Sequence, residues 1–484
     1  MTIATANVYL VAVTLRTASS RLRSITLLGL FTGAAFVGGA TWGAESSHAT
    51  TAEESPYAVL GQLARVLVQV ENDYVDPVDR GKLLKGAIRG MVEGLDPHSS
   101  YMSPEDYEAF QSETEGQFGG VGIEVDVKAD QLTIIAPIEG SPAARAGIKS
   151  GDRILSVDGE DIEHVPVDKM VTRMRGQAGT HVKLFIQRKG VNDPLVFDLV
   201  REVVHVPSVS SRLLDGGVAY IRIKQFQDHT HEEMVRAIGR LRARGTLTGV
   251  ILDLRSHPGG LVDQAAEIAD EFLTHGTIYT IRHRGEVIDE VKARAGGALA
   301  TLPTVVLVNE WSASASELVA GALQDQQRAT LVGANTFGKG SVQTIIPLPG
   351  HAGLRLTTAR YYTPNGRSLQ AEGVHPDVII ESKASDDEKA MQLHERDLEG
   401  HLEAEPTVGQ KSERTPGAPA RQVPILREPA DGGAAPPLDP DAVEGVEAVT
   451  VPVDPGKGRD FALRVAYQIV RHTPVDPGAP RAAK

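Results

Sequence analysis

Three serines alternate with alanines in Ser312-Ala313-Ser314-Ala315-Ser316, between an apolar run at 304–308 and a segment whose Leu318, Val319, Ala322 and Leu323 fall at helical spacing. A serine at a helix start ordinarily caps it, its oxygen taking a free backbone N–H, and that role suits one or two of the three. The other can do chemistry, because a helix start offers unpaired N–H groups and partial positive charge that suit a developing oxyanion. A hydroxyl is a poor nucleophile until a base takes its proton. A candidate base stands downstream in Thr336-Phe337-Gly338-Lys339-Gly340-Ser341-Val342-Gln343. Lys339 lies between two glycines, so the backbone there can come close to a neighbour. Lysine has an ordinary pKa of about 10.4, but desolvation lowers it by up to several units. Buried beside a serine, it can serve as a general base; taken alone, a loop lysine is a solvated charge.

Several elements must hold these residues. Residues 304–308 read as a strand running into a loop, then a helix; residues 341–346 read as a strand. From 203 onward strands and helices alternate: a strand at 218–223, an amphipathic helix at 231–244 and a buried strand at 249–254. Ser256-His257-Pro258-Gly259-Gly260 follows, then a helix at 261–273. Strand, Gly-Gly, helix again aims N–H groups at an anion. Upstream, Phe118-Gly119-Gly120-Val121-Gly122-Ile123 opens a strand, and glycines there let backbone N–H groups converge on a peptide carboxylate. Residues 123–127 alternate apolar and acidic, as an exposed edge strand does. Residues 57–92 carry two helical stripes, Leu60, Leu63, Leu67, Val70 and Leu84, Ile88, Met91, broken at Asn72-Asp73-Tyr74-Val75-Asp76-Pro77. The series predicts an α/β (α+β) core of mixed sheets and helices.

The serine triplet followed by Phe-Gly-Lys-Gly-x-Val-Gln resembles the signature of the carboxyl-terminal processing (tail-specific) serine proteases. The resemblance covers residues 57–381. It implies Ser314 as nucleophile, Lys339 as base, Gln343 as the residue orienting the lysine, and oxyanion donors at Gly260 and Ala315. Asp325 is sometimes counted in the relay. It lies eleven residues beyond Ser314, about 16 Å along a helix, too far for direct contact. Gln343 is four extended residues, about 13 Å, from Lys339, so a bend or the lysine arm must close that gap. The family form has two asparagines where this chain has Ser256 and His257. Ser141-Pro142-Ala143 through Gly151-Asp152-Arg153-Ile154-Leu155-Ser156-Val157-Asp158-Gly159 resembles a PDZ core, with a helix at 167–175 and a strand at 182–187. It implies that a substrate's C-terminus adds as a strand, its carboxylate held around Gly119, Gly120, Val121, Gly122 and Ile123. Neither metal nor cofactor is implied. The expected partners are protein substrates with exposed C-termini, an activating protein, and further copies of the chain.

The expected organisation is a signal peptide or signal anchor at 1–44, a helical segment at 52–108, a PDZ domain at 109–200 and a Ser–Lys core at 201–381. A disordered linker at 382–449, rich in Ala, Pro and Gly, and a C-terminal helix and tail at 450–484 complete it. Arg16, Arg21 and Arg23 precede an uncharged apolar stretch at 25–44, about the 20 residues that span a bilayer. Export to the periplasm or another extracytoplasmic space, with or without a membrane anchor, is therefore expected. The formal net charge of −14 over 484 residues argues against a nucleic-acid surface. With no cysteine, disulfides, thiolate metal sites and a Cys nucleophile are excluded.

Rival readings fail on spacing. Residues 333–340 nearly spell a phosphate loop, but Gly340 stands where Ser or Thr must follow the lysine, and a strand follows instead of a helix. His229-x-His231-Glu232-Glu233 lacks the i, i+4 histidine pair of a zinc protease helix. His98, in Asp96-Pro97-His98-Ser99, reads as a turn residue. The remaining alternative is a PDZ adaptor whose protease core is inactive, or a protease held inactive until a partner acts.

Overall fold

The computed structural model describes residues 56–128, 131–162, 165, 167–381, 392–405, 424–427 and 460–472. The expected export segment at 1–44 lies outside the described residues. The helix Pro56–Asp73 forms a compact unit of its own, and residues from Pro77 onward form another.

The centre of that second unit is a seven-stranded sheet. Its order is Val209–Leu214, Val218–Ile223, Gly249–Asp253, Thr304–Val308, Thr330–Gly333, Val378–Glu381, Ile425–Arg427. The first pair is antiparallel and the remaining pairs are parallel. The inner strands are apolar at nearly every position because both faces are covered. Ile221, Val250, Leu252, Val306 and Val308 meet the helices Thr230–Arg244, Val262–Asp270 and Ala315–Asp325. Tyr220, Ile251, Val305 and Leu307, one residue out of step, meet Phe461, Leu463, Val465 and Ala466 of the helix Phe461–Val470. A second sheet pairs Gly353–Tyr362 with Ser100–Met102, Thr277–His283 and Ser341–Pro347.

The PDZ unit is inserted through a two-stranded ribbon, Gln117–Gly120 against Glu202–His205. It has its own sheet and a separate core that includes Ile134, Ile154, Leu184 and Ile186. Among the described residues its strand Ile123–Lys128 pairs with Gln131–Pro137 and is an edge of that sheet, as the alternation suggests.

Two expectations change. Disorder was expected throughout 382–449, but residues 392–405 bond to the core and Ile425–Arg427 adds the last parallel strand, supplying partners that composition does not reveal. The stripe Leu84, Ile88, Met91 lies on the helix Arg80–Glu93 as read, yet its residues are 40–65% exposed.

Candidate active site

The site is built at the carboxyl ends of two adjacent parallel strands, where loops rather than ladder bonds face outward. Gly249–Asp253 leads into the loop 254–261, and Thr304–Val308 leads into the loop 309–314. The loops are stitched together. Ser312 Oγ donates to the Leu254 carbonyl (2.7 Å), the Ala313 N–H to the His257 carbonyl (2.9 Å), and the Ser256 N–H to Asn309 Oδ1 (2.7 Å). Ser316 Oγ donates to the Ala313 and His257 carbonyls at 2.8 and 3.1 Å. Ser312 and Ser316 are buried and committed to structure.

Ser314 differs. It is the N-cap of the helix Ala315–Asp325 with φ 59° and ψ −119°, a conformation that disfavours any residue with a Cβ. It is half-exposed. Gly259 lies against it: a Cβ there would sit 2.9 Å from Ser314 Cβ and 3.2 Å from Ala315 N, so only glycine lets the loops approach. The Phe226 N–H donates to the Gly259 carbonyl and the Leu261 N–H to the Phe226 carbonyl, which leaves the Gly260 N–H outside that bridge. The Ala315 N–H opens a helix and has no intrahelical acceptor. These are the two expected oxyanion donors.

His257 is no base. It is fully buried, 4.3 Å from the Phe226 ring, and its Nδ1 accepts the Gly259 N–H (3.0 Å). Burial lowers its pKa to about 3, so it is neutral and fixes the loop. Beneath this loop Arg255 bridges the buried Asp253 and Asp460, the residue that caps the helix Phe461–Val470.

The residue overlooked in the sequence is Glu317. It is wholly buried one turn into the helix that follows Ser314. Its Oε2 accepts the N–H groups of both Ser314 (2.7 Å) and Lys339 (2.9 Å). Its Oε1 accepts from the Gly338 N–H (2.7 Å) and Thr336 Oγ1 (2.5 Å). The Ser314 and Lys339 backbones therefore lie no farther apart than two hydrogen bonds laid end to end. Burial pushes the Glu317 pKa up to about 7 against these four donors. The signal was present as Ser314-x-x-Glu317, the spacing at which a third-position glutamate reaches back to the N-cap N–H.

Lys339 is half-buried between glycines that could carry no side chain: a Cβ on Gly338 would meet the backbone at 371–373, and one on Gly340 would meet Gln370 N at 2.4 Å. Its pKa is lowered first by burial and then by the charge of Arg355, against Glu395, Glu317 and Asp96. Gln343 bonds to Ser341 Oγ (2.9 Å) and Thr357 Oγ1 (3.3 Å); Thr357 in turn donates to the buried Asp96 (3.1 Å). Asp325 is not brought to the site. It is at the far end of the helix, accepting from Arg367 (2.6 Å) and the Asn365 N–H (3.0 Å), where it holds the 363–367 turn.

Known proteins resemble this chain in sequence. The chain matches the model of peptidase family S41 over residues 217–380, that of the PDZ domain over 110–187, and that of the activating protease CtpB N-terminal domain over 26–106. It is 40% identical over 391 residues to a carboxy-terminal-processing protease of Bartonella bacilliformis, covering 80% of this chain and 88% of that one. The chain belongs to the carboxyl-terminal-processing proteases. A second relative, the carboxy-terminal processing protease CtpA of Bacillus subtilis, is 36% identical over 322 residues, covering 66% of this chain and 68% of that one. The solved photosystem II D1 C-terminal processing protease aligns at 29% identity with a TM-score of 0.41, covering 66% of this chain and 86% of that one. As a member of this family the chain is a serine peptidase with a PDZ domain.

In the PDZ unit, Gly119 and Gly120 end the ribbon strand Gln117–Gly120, Val121 and Gly122 connect it to the edge strand, and Ile123 begins that edge strand. A cavity of about 130 Å³ opens beside them, lined by Phe118, Val121, Ile123, Val125, Val171 and Met174. A Cβ on Gly119 would collide with the Gly176 carbonyl at 2.2 Å.

Proposed function

We propose that this peptidase works by a Ser–Lys acyl-enzyme mechanism on proteins whose C-termini its PDZ domain captures. The observation carrying the mechanism is that one oxygen of Glu317 receives the backbone N–H groups of both Ser314 and Lys339. Neutral Lys339 takes the hydroxyl proton as Ser314 Oγ bonds to the scissile carbonyl carbon. The Gly260 and Ala315 N–H groups hold the resulting oxyanion; losing one such donor costs on the order of 3 kcal/mol in the barrier. The C–N bond then breaks, Lys339 returns the proton to the departing amine, and water deacylates Ser314 by the same route. Gln343, on the strand Ser341–Pro347 that follows the lysine loop, steadies that strand through Ser341 and Thr357.

Capture is supported by the place of Ile123–Lys128 at the edge of its sheet and by the cavity beside it. A substrate tail added to Ile123–Lys128 gains ladder bonds while its last side chain enters the apolar cavity, whose size favours a small apolar terminal residue. The charge pattern of residues 1–44 supports export to an extracytoplasmic space, with the segment cleaved or retained as an anchor. The exposed Leu84, Ile88 and Met91 support assembly with another copy or an activating protein.

The test is cleavage of an unfolded protein by Ser314→Ala and Lys339→Ala. Both lose cleavage while still binding a free-carboxylate tail peptide. Wild-type cleavage in either removes the mechanism, and equal binding of an amidated tail removes the capture.

A further inference from the structure

Residues 392–405 follow the strand Val378–Glu381 in the chain and bond to the lysine loop. Glu395 is wholly buried. Its N–H donates to the Phe337 carbonyl (3.0 Å), its Oε1 accepts from Gln370 Nε2 (2.8 Å), and its Oε2 pairs with His98 Nε2 at 2.7 Å. Gln370 accepts the Gly340 N–H (3.0 Å) and donates to the Leu402 carbonyl (3.0 Å). The strap is fastened again where Glu405 accepts from Arg360 and from the Tyr362 hydroxyl. Lys339 thus sits between Gly338, held by Glu317, and Gly340, held through Gln370 by Glu395.

We propose that Glu395 is a positioning residue for Lys339, holding the 337–340 loop at Phe337 and, through Gln370, at Gly340, and placing a fixed negative charge near the amine. This rests on the Ser–Lys reading above. The groups whose charge bears on the lysine are Asp96 from the 96–99 turn, Glu317 from the nucleophile helix, Arg355 from the strand Gly353–Tyr362, and Glu395 from the strap, with His98 against Glu395. Burial would raise the Glu395 pKa, but bonds from His98 and Gln370 and nearby positive charge hold it below the usual range, so it is ionised at neutral pH. Its bonds and its charge therefore act in opposite senses. The bonds set the loop where Lys339 can reach Ser314, while the carboxylate favours the protonated amine and raises the pH at which the base becomes free.

The experiment compares kcat, KM and the pH profile of kcat/KM for full-length wild type, E395Q, Q370L and K339A on a fluorogenic peptide with a free apolar C-terminus. E395Q keeps the size and removes the charge; its acid limb moves to lower pH by about one unit. A buried residue that only stabilises the fold would change melting temperature and leave that limb in place, and an unmoved limb in folded E395Q overturns the proposal. Q370L, which keeps the carboxylate but cuts the strap from Gly340, loses about tenfold in kcat or more at unchanged KM, with the limb at its wild-type position. If E395Q does not fold, Q370L decides, and wild-type kcat there overturns the proposal. K339A separates the two levels. Cleavage by K339A sinks the Ser–Lys reading itself, whereas an inactive K339A beside an unaltered E395Q sinks only the role of Glu395.

Discussion

The catalytic cleft and the PDZ groove solve opposite problems. In the cleft, Ser314 is held in a strained conformation and two buried carboxylates grip the neighbouring lysine loop. The groove is the edge strand Ile123–Lys128 beside a small apolar cavity. Chemistry needs atoms fixed before the substrate arrives, because displacement by an ångström is costly. Capture needs only backbone groups left without partners and an apolar site to fill. Perturbing the cleft should therefore reduce turnover, and perturbing the groove should raise KM.

The largest expected effect is at Glu317. Glu317→Ala leaves four donors without their acceptor, three of them backbone N–H groups. We expect kcat to fall by about 100-fold or more and stability by several kcal/mol, on the order of 3, read by turnover and by denaturant unfolding. A wild-type kcat would place preorganisation elsewhere. Next is Val171→Glu in the cavity wall, which sets a charge against the incoming carboxylate. KM for a free-tail peptide should rise about tenfold, equivalent to about 1.4 kcal/mol, with kcat and the cleavage of an amidated peptide unchanged. A fall in kcat instead would mean that the groove helps to shape the cleft.

Arg355→Gln comes third. The arginine lowers the lysine pKa, so removing its charge raises that pKa, and the acid limb of kcat/KM should move to higher pH by up to about one unit. Movement to lower pH would show that the limb belongs to another group. Smallest on activity is Asp325→Asn. Turnover should stay within about twofold while stability falls by about 1–2 kcal/mol through the weakened bonds to Arg367 and Asn365. A large loss of kcat would restore Asp325 to the relay.

The contrast also explains what the sequence made legible. The strand edge and its glycines are local patterns, and so is the Ser314 helix, whose apolar residues repeat at helical spacing. Glu317 was visible as a capping-box residue, but its burial depends on a loop about twenty residues away folding back over it. Asp325 enters by the family resemblance alone, and the helical spacing that argues against contact with Ser314 agrees with its place at the far end of that helix. Glu395 lay in a stretch whose composition signals disorder; only contacts with Phe337, Gln370 and His98, distant in sequence, give it a place.

The most direct measurement is the ionisation of the Lys339 amine, by NMR titration of 15Nζ-labelled lysines in the Ser314→Ala protein, with Lys339→Arg to assign the signal. The Ser–Lys mechanism predicts one amine titrating well below the ordinary value of about 10.4. If every lysine titrates at that ordinary value, there is no free base at neutral pH and the mechanism is contradicted.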